Sequence, residues 1–511
     1  MLVLFKRLAA SSRRMRGALG VLLAWTGVAT PLHAQDAAGL LPGDHWAVEA
    51  AWRMEELGLV RGFLPAQRAV PISVVGAALA QARARADSAG GPLREVATAW
   101  YDRFAGEFGG ALPTAATRSL AVQQATGTLA WERATGRSAP GRWIFTPDRT
   151  GAQPLPSVEA PFAALDLAAS YRGWLAAQAR PRAADGGVEL EVAEISVRAG
   201  AWALAAGRQT IGYGLSERGG LVLSGAVALD RVDFGTVRPV RGPWLLRHVG
   251  PVALHAFGSS LSAPRHPQNP WFWGGRIAVQ PHPRLTFTVH RAAVFAGDST
   301  DVPITARTLL DMLIGDANGG SFENQVVSLS GRFRLPTERW LPLTAYLEWG
   351  AEDGAGAWRD VPGRVMGLRV PAIPGAERWS LAVERATFAG RCCGNPEWYR
   401  HGGFGGNWSG EEVPLGHPLG GHGEEISLHG AGVAVGGRLR LEAELFRRDR
   451  GAENLFAPGR EGRSRGGRGA VAWQPTRAAE LFVELADEQG SGWTERSLRA
   501  GGRAFLGGVR E

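Results

Sequence analysis

The chain has 511 residues, 20% charged and 45% apolar, with 56 basic and 48 acidic side chains and a net charge of +8. Five of the basic residues and none of the acidic ones precede Gln35, which leaves 51 against 48, interspersed along the rest. Despite a pI near 10.3, that interspersed balance gives no polyanion-binding signal, and no nucleic-acid partner is expected.

The chain opens on Lys6, Arg7, Arg13, Arg14 and Arg16, then an apolar run from Gly17 to Ala29, then Leu32-His33-Ala34. A basic start, an apolar stretch and a small-residue cleavage site predict a signal peptide over 1–34 and export, with Gln35 as mature start. The apolar run is too short to span a bilayer comfortably. Residues 35–110 are expected to form a small helical unit. His45–Val60 carries Trp46, Ala50, Met54 and Leu57 at helical spacing. Val74–Ala86 carries Val75, Ala78, Leu79 and Ala82 on one side. Leu93, Val96, Trp100, Phe104 and Phe108 form a third stripe, expected to pack helix on helix. Gly and Pro become frequent after Ala111, and 111–160 is read as linker and loop, with Trp143–Pro156 its clearest loop.

From about Phe162 the period changes from helical to two. In Gln325–Leu335, Val327, Leu329, Gly331, Phe333 and Leu335 share one face, and Ser328, Ser330, Arg332 and Arg334 share the other. The same alternation recurs in Leu343–Trp349, Leu439–Leu445 and Leu481–Leu485, and Pro281-His282-Pro283 joins two such runs as a hairpin. Strands with an apolar outer face and a charged inner face fit a transmembrane barrel, because lipid accepts only closed sheets or helices. At roughly 20 residues per strand and turn, residues 161–511 predict about 16 to 18 antiparallel strands. The fold class is mainly β, with a small N-terminal helical unit. Glu189, Glu191, Arg276, Arg332, Arg334, Glu348, Glu384, Arg440, Glu442, Glu444, Glu484, Arg499 and Arg503 are expected to line the lumen and to pair across it. Trp271, Trp273, Trp340 and Trp473 suit interfacial girdles. The last strand ends at Phe505-Leu506, followed by Gly507–Glu511.

The segment Cys392–Gly430 has no strand pattern and many glycines, and is expected to be a long extracellular loop. It holds Trp398-Tyr399-Arg400-His401, Asn407-Trp408, the run from Leu415 to Gly420 and His422. Cys392 and Cys393 are adjacent, a spacing that does not suit one metal ion. His401, His417, His422 and His429 lie near Glu411, Glu412, Glu424 and Glu425, but match no hydrolase spacing, and Ser409 lacks a nucleophile-elbow context. No catalytic residue, metal site or cofactor is expected.

Trp398-Tyr399-x-His401 followed by Leu415-Gly416-His417-Pro418-Leu419-Gly420 resembles the capsule assembly protein family Wzi. Gly207-Arg208-Gln209 with Tyr213-Gly214, Leu221–Ser224, Glu323–Ser328 and Tyr346–Gly350 are similar to further segments of that family. The chain departs from it in the Cys392-Cys393 pair and the residues after Leu506. The resemblance implies an outer-membrane barrel of 18 strands with a helical bundle on the periplasmic side. It also implies non-enzymatic binding of capsular or exo-polysaccharide during capsule assembly or attachment, in contact with outer-membrane lipid. Trp398, Tyr399, Arg400, His401, Asn407, Trp408, His417 and His422 are then the candidate polysaccharide contacts, since aromatics stack on sugar rings and polar groups pair with hydroxyls. Asp44–Ala50 with Glu56–Val60 resembles half of an S-layer homology module. That supports an alternative, a carbohydrate-selective porin whose helical unit binds a cell-wall polymer.

Overall fold

The structure is a computed structural model that describes residues 37–89, 91–112, 120–135, 159–184, 186–242, 248–261, 266–298, 323–352, 361–388, 398–400, 407–410, 413–457 and 459–506, with isolated positions 305, 307, 308 and 359. The expected signal peptide, the Trp143–Pro156 loop, Cys392, Cys393, His401, Glu411, Glu412 and Gly507–Glu511 lie outside the described residues.

Eighteen antiparallel strands close into one barrel. They are β1 (Leu120–Thr135), β2 (Ala160–Tyr171), β3 (Leu175–Ala184), β4 (Gly187–Ala199), β5 (Trp202–Gly212), β6 (Ser224–Thr236), β7 (Pro251–Ser260), β8 (Trp271–His282) and β9 (Leu285–Phe295). The second half comprises β10 (Glu323–Arg334), β11 (Thr344–Glu352), β12 (Gly363–Val370), β13 (Trp379–Phe388), β14 (Gly423–Ala434), β15 (Leu439–Arg450), β16 (Gly462–Thr476), β17 (Ala479–Gly490) and β18 (Trp493–Phe505). Each strand pairs with its neighbour in sequence, and β18 returns to β1 from Arg496↔Thr135 to Phe505↔Thr126, so no edge is left open. The expected alternation sets the faces. Leu129, Ile277, Leu329, Leu445 and Leu481 are at least half exposed on the outside, where lipid lies, while Ser328, Ser330 and Arg332 are buried inside.

The first strand corrects the sequence reading. Residues 120–135, expected within a linker, are a barrel strand and half of the closing seam. A bulge between Val122 and Gln124 hides it: Gln123 and Gln124 are both buried, so the period of two breaks mid-strand. Glu189 is a second correction. It is exposed near the strand end at Gly187, beyond the packed part of the lumen. The other expected lumen residues are buried or half-buried.

Three helices form the N-terminal unit: α1 (Trp46–Glu56), α2 (Ile72–Ala89) and α3 (Pro92–Phe108). His45 caps α1, its Nδ1 accepting from the Ala47 N–H at 3.2 Å. Gly58 ends it at φ +78°, a conformation that favours glycine. The α3 stripe packs as expected, with Trp100 stacked on Trp46 at 5.7 Å and Phe104 beside Phe108. The unit sits in the end of the barrel that carries the short turns. Glu55 pairs with Arg332 at 2.8 Å and Glu56 with Arg369 at 2.5 Å. Arg103 pairs with Glu480, which also holds Arg503 at 2.8 Å. Arg53 donates to the Pro371 and Glu377 carbonyls at 2.5 and 2.6 Å. Gln178 clamps Leu40 by both N–H and C=O.

One group in this unit makes the packing sensitive to pH. Burial, reinforced by the neighbouring Glu480 charge, raises the Glu107 carboxyl from 4.5 to about 7. The native state thus keeps a proton that the unfolded state loses. The contribution of Glu107 to stability is full below pH 4.5 and falls by about 3 kcal/mol as pH rises to 7. Glu107→Gln should therefore leave the helical unit more resistant than wild type at pH 8 and no different at pH 4. Urea unfolding followed by tryptophan fluorescence at both pH values reads the difference. Equal responses of the two proteins to pH would show that Glu107 does not titrate there.

Candidate functional site

The opposite end of the barrel carries the long connections, and among the described residues several of them turn inward. The β5–β6 connection, 213–223, and the residues described between β13 and β14 pack together across the lumen. Trp408 meets Phe272 edge-on at 5.5 Å, and Phe388 meets Trp398 at 5.1 Å. Leu221, Val222, Leu223, Leu415 and Leu419 fill the space between them.

The indole and phenol groups of this core all find hydrogen-bond partners. The Trp398 indole N–H donates to the Val361 carbonyl at 2.7 Å, and that of Trp408 to the Val222 carbonyl at 2.9 Å. The Tyr399 hydroxyl donates to the Leu221 carbonyl at 2.5 Å and accepts from the His417 N–H at 2.8 Å. The Tyr399 N–H donates to Glu352 at 2.6 Å. Burial raises the Tyr399 hydroxyl well above the usual phenol range, so it is a neutral donor at all physiological pH values. His417 Nδ1 accepts from the Leu419 N–H at 3.2 Å. Arg218, on the inward connection, pairs with Glu425 at 3.2 Å and with Glu444. Burial draws its guanidinium down to about 10, which Glu425 opposes, so Arg218 stays charged.

This placement corrects the expectation of an exposed loop. Trp398, Tyr399, Trp408 and His417 are brought together but are at most 2% exposed. Glycine richness misled the reading, because here it marks close packing. A Cβ on Gly416 would lie 2.3 Å from the Tyr399 hydroxyl, and one on Gly421, at φ +91°, 2.3 Å from the Trp398 carbonyl. Arg400, Asn407 and His422 are half-buried. Arg400 donates to the Asn454 carbonyl at 2.8 Å and lies 3.6 Å from Glu453, whose N–H donates to His422 Nδ1.

The described members of the histidine and glutamate cluster are dispersed. Glu425 faces inward against Arg448, Glu424 faces outward at 2.9 Å from Arg385, and His429 contacts Ser427 at 3.0 Å. Among the described residues no group of three His, Cys, Asp or Glu is placed to hold a metal ion. Sequence reasoning missed Glu352, Asn454 and Arg218. Glu352 ends β11, and Asn454 sits between β15 and β16, so no local pattern joins either to the Trp-Tyr segment. Arg218 lies between two inward-facing segments that were each noted for other residues. Between the inward core and the helical unit lies a chamber lined by Trp46, Trp52, Trp100, Arg53, Arg276 and Arg440.

A model of the family described as capsule assembly protein Wzi matches residues 99–491. Among solved structures, Wzi of Escherichia coli is similar over 92% of this chain and 100% of its own, with a TM-score of 0.71 and 15% identity. That protein is described as an outer-membrane protein involved in group 1 capsule assembly and as a carbohydrate-binding β-barrel. OccK5 (OpdH) and OccD3 (OpdP) of Pseudomonas aeruginosa are similar over 74% and 75% of this chain and 96% and 91% of theirs. Their identities are 11% and 12% and their TM-scores 0.45 and 0.41, too low to carry an argument. No curated protein sequence matches the chain.

Tyr399→Phe should leave the Leu221 carbonyl and the His417 N–H without their shared partner, at a cost of about 1–3 kcal/mol. The barrel should still form. Limited proteolysis of intact cells should cut the inward segment faster in the variant. An unchanged cleavage rate would mean that the hydroxyl does not hold this core.

Proposed function

The chain belongs to the capsule assembly protein Wzi family and lies in the outer membrane, and from that premise we propose that it is a closed barrel that holds surface polysaccharide without transforming it. The observation that carries this reading is the double filling of the lumen. Paired charges bind the helical unit at one end, and an apolar core crosses the other. A lumen filled in this way is unsuited to solute diffusion and well suited to presenting a fixed outer face. The carbohydrate binding described for the Escherichia coli relative supports the ligand class. The inward-facing acids support a non-enzymatic role, because Glu425, Glu384 and Glu348 are each engaged by neighbouring groups.

The helical unit closes the short-turn end, which in outer-membrane barrels faces the periplasm. The long connections then face outward, and capsular or exo-polysaccharide is the partner on that side. Within the candidate set, Trp398, Tyr399, Trp408 and His417 act as the brace beneath that surface. Arg400 and Asn407 are the residues at its edge that reach sugar, with His401 and His422 beside them in sequence or contact. The porin alternative with a wall anchor is less well supported. Trp46, Ala47, Val48 and Met54 of the S-layer-like segment are spent on internal packing.

Purified protein in planar bilayers should show no large stable channels, and such channels would return the porin reading. In cells, Arg400→Gln with Asn407→Ala should lower surface-bound polysaccharide by about tenfold, the equivalent of one charge-assisted contact. Glycan staining measures it. Unchanged retention would remove this edge from the binding surface.

A further inference from the structure

The lipid-facing wall carries a charged and grooved patch that the capsule role does not use. Arg447 on β15 and Arg465 on β16 are direct cross-strand partners, both exposed on the outer face. Like charges set opposite one another destabilise a sheet. Among the described residues, neither guanidinium has a hydrogen-bond or ion-pair partner. The flanking arginines differ: Arg463 pairs with Asp449 at 3.2 Å and Arg496 with Asp487 at 2.8 Å. The patch therefore carries two uncompensated positive charges.

Their height on the barrel matters. One step further from the long-loop end, the outer face of β15 turns apolar at Leu445, which is 62% exposed. The pair thus stands where the hydrocarbon band meets the headgroups of the outer leaflet. Directly below it, β16 presents Gly467 and Gly469 instead of side chains. Leu445 lies opposite Gly467 on one side, and Leu485 opposite Gly469 on the other. A Cβ on Gly469 would meet nothing within 4 Å, so the floor is open. The result is a groove lined by Leu445, Gly467, Gly469, Leu485 and Leu498, with the Asp487–Arg496 pair in its wall. The Arg447–Arg465 pair stands next to it, two residues along each strand from Leu445 and Gly467 toward the long-loop end.

We propose that this groove seats one acyl chain of a phosphorylated outer-leaflet lipid, with its phosphate between Arg447 and Arg465. A phosphate offers the acceptors that two guanidiniums need, and its charge removes the repulsion between them. The acyl chain fills the space that Gly469 leaves bare between the flanking leucines. The site is independent of the polysaccharide surface: it lies on the outside of β15 to β17, away from the inward core.

Full-length protein in detergent is titrated with diphosphoryl lipid A, with its dephosphorylated form and with inorganic phosphate, and bound lipid is read by native mass spectrometry. Wild type should retain the phosphorylated lipid about tenfold better than the dephosphorylated one. Inorganic phosphate at the same concentration should not displace it. Arg447→Gln with Arg465→Gln should lose that preference while still migrating as a folded, heat-modifiable band, since removing like charges does not weaken the sheet. Gly469→Leu should lower retention of both lipids with the charges intact. Equal retention of the two lipids by wild type would overturn the phosphate contact. Displacement by inorganic phosphate, or unchanged retention in Gly469→Leu, would overturn the acyl track.

Discussion

A guanidinium cannot be buried inside a membrane barrel without an acceptor, and the interior of this protein is arranged around meeting that demand. Breaking a buried pair costs about 3–5 kcal/mol, because the remaining charge has nowhere to go. Arg332, Arg369 and Arg103 find their carboxylates between the helical unit and the wall, and Arg448 finds its own between strands. The pairs therefore fix where the unit sits. A shift by one helical turn would separate Glu55 and Glu56 from their arginines together. Position is specified by charge, and the apolar faces of α1 to α3 are free to pack on one another.

The two fillings of the lumen obey different physics. At the short-turn end, polar pairs connect one chain segment to many strands. At the long-loop end, a dry aromatic core is stitched to backbone carbonyls by single hydrogen bonds from Trp398, Tyr399 and Trp408. The first tolerates little change of charge, and the second little change of volume. Gly416 and Gly421 show how little, since neither position has room for a methyl group.

Much of the fold was legible because lipid outside and charge inside impose a period of two that few other folds sustain. Strands of the second half show it plainly, as in Val327 to Leu335. β1 was not legible, because its bulge places Gln123 and Gln124 on the same side and ends the pattern after Val122. Helix positions were readable from stripes such as Val96, Trp100, Phe104 and Phe108, and the contacts that seat them against the barrel wall were not. That seating depends on pairs such as Arg103 with Glu480, separated by most of the chain. The Trp-Tyr segment was found as a motif and misplaced as a surface. Composition reports that glycine is abundant; it does not report whether the space beside it is water or an indole ring. Trp398, Tyr399, Trp408 and His417 thus come together as a buried cluster, while Arg400, Asn407 and His422 stay half-buried, a division that the sequence did not show.

The seam between β18 and β1 has a consequence for how the barrel is made. It joins Phe505 to Thr126, a contact of very long sequence separation and of the kind that slows folding most. The helical unit touches both sides of it. Gln123 on β1 accepts from the Gly39 N–H at 3.1 Å and donates to the Ala37 carbonyl at 2.9 Å, and Glu480, on the strand next to β18, holds Arg103. The route from one lip of the seam to the other therefore shortens from the whole circumference to the width of three packed helices. The plug therefore ties the first strand and the strand beside the last to one packed body, so the seam is held from inside the lumen as well as by its own ladder.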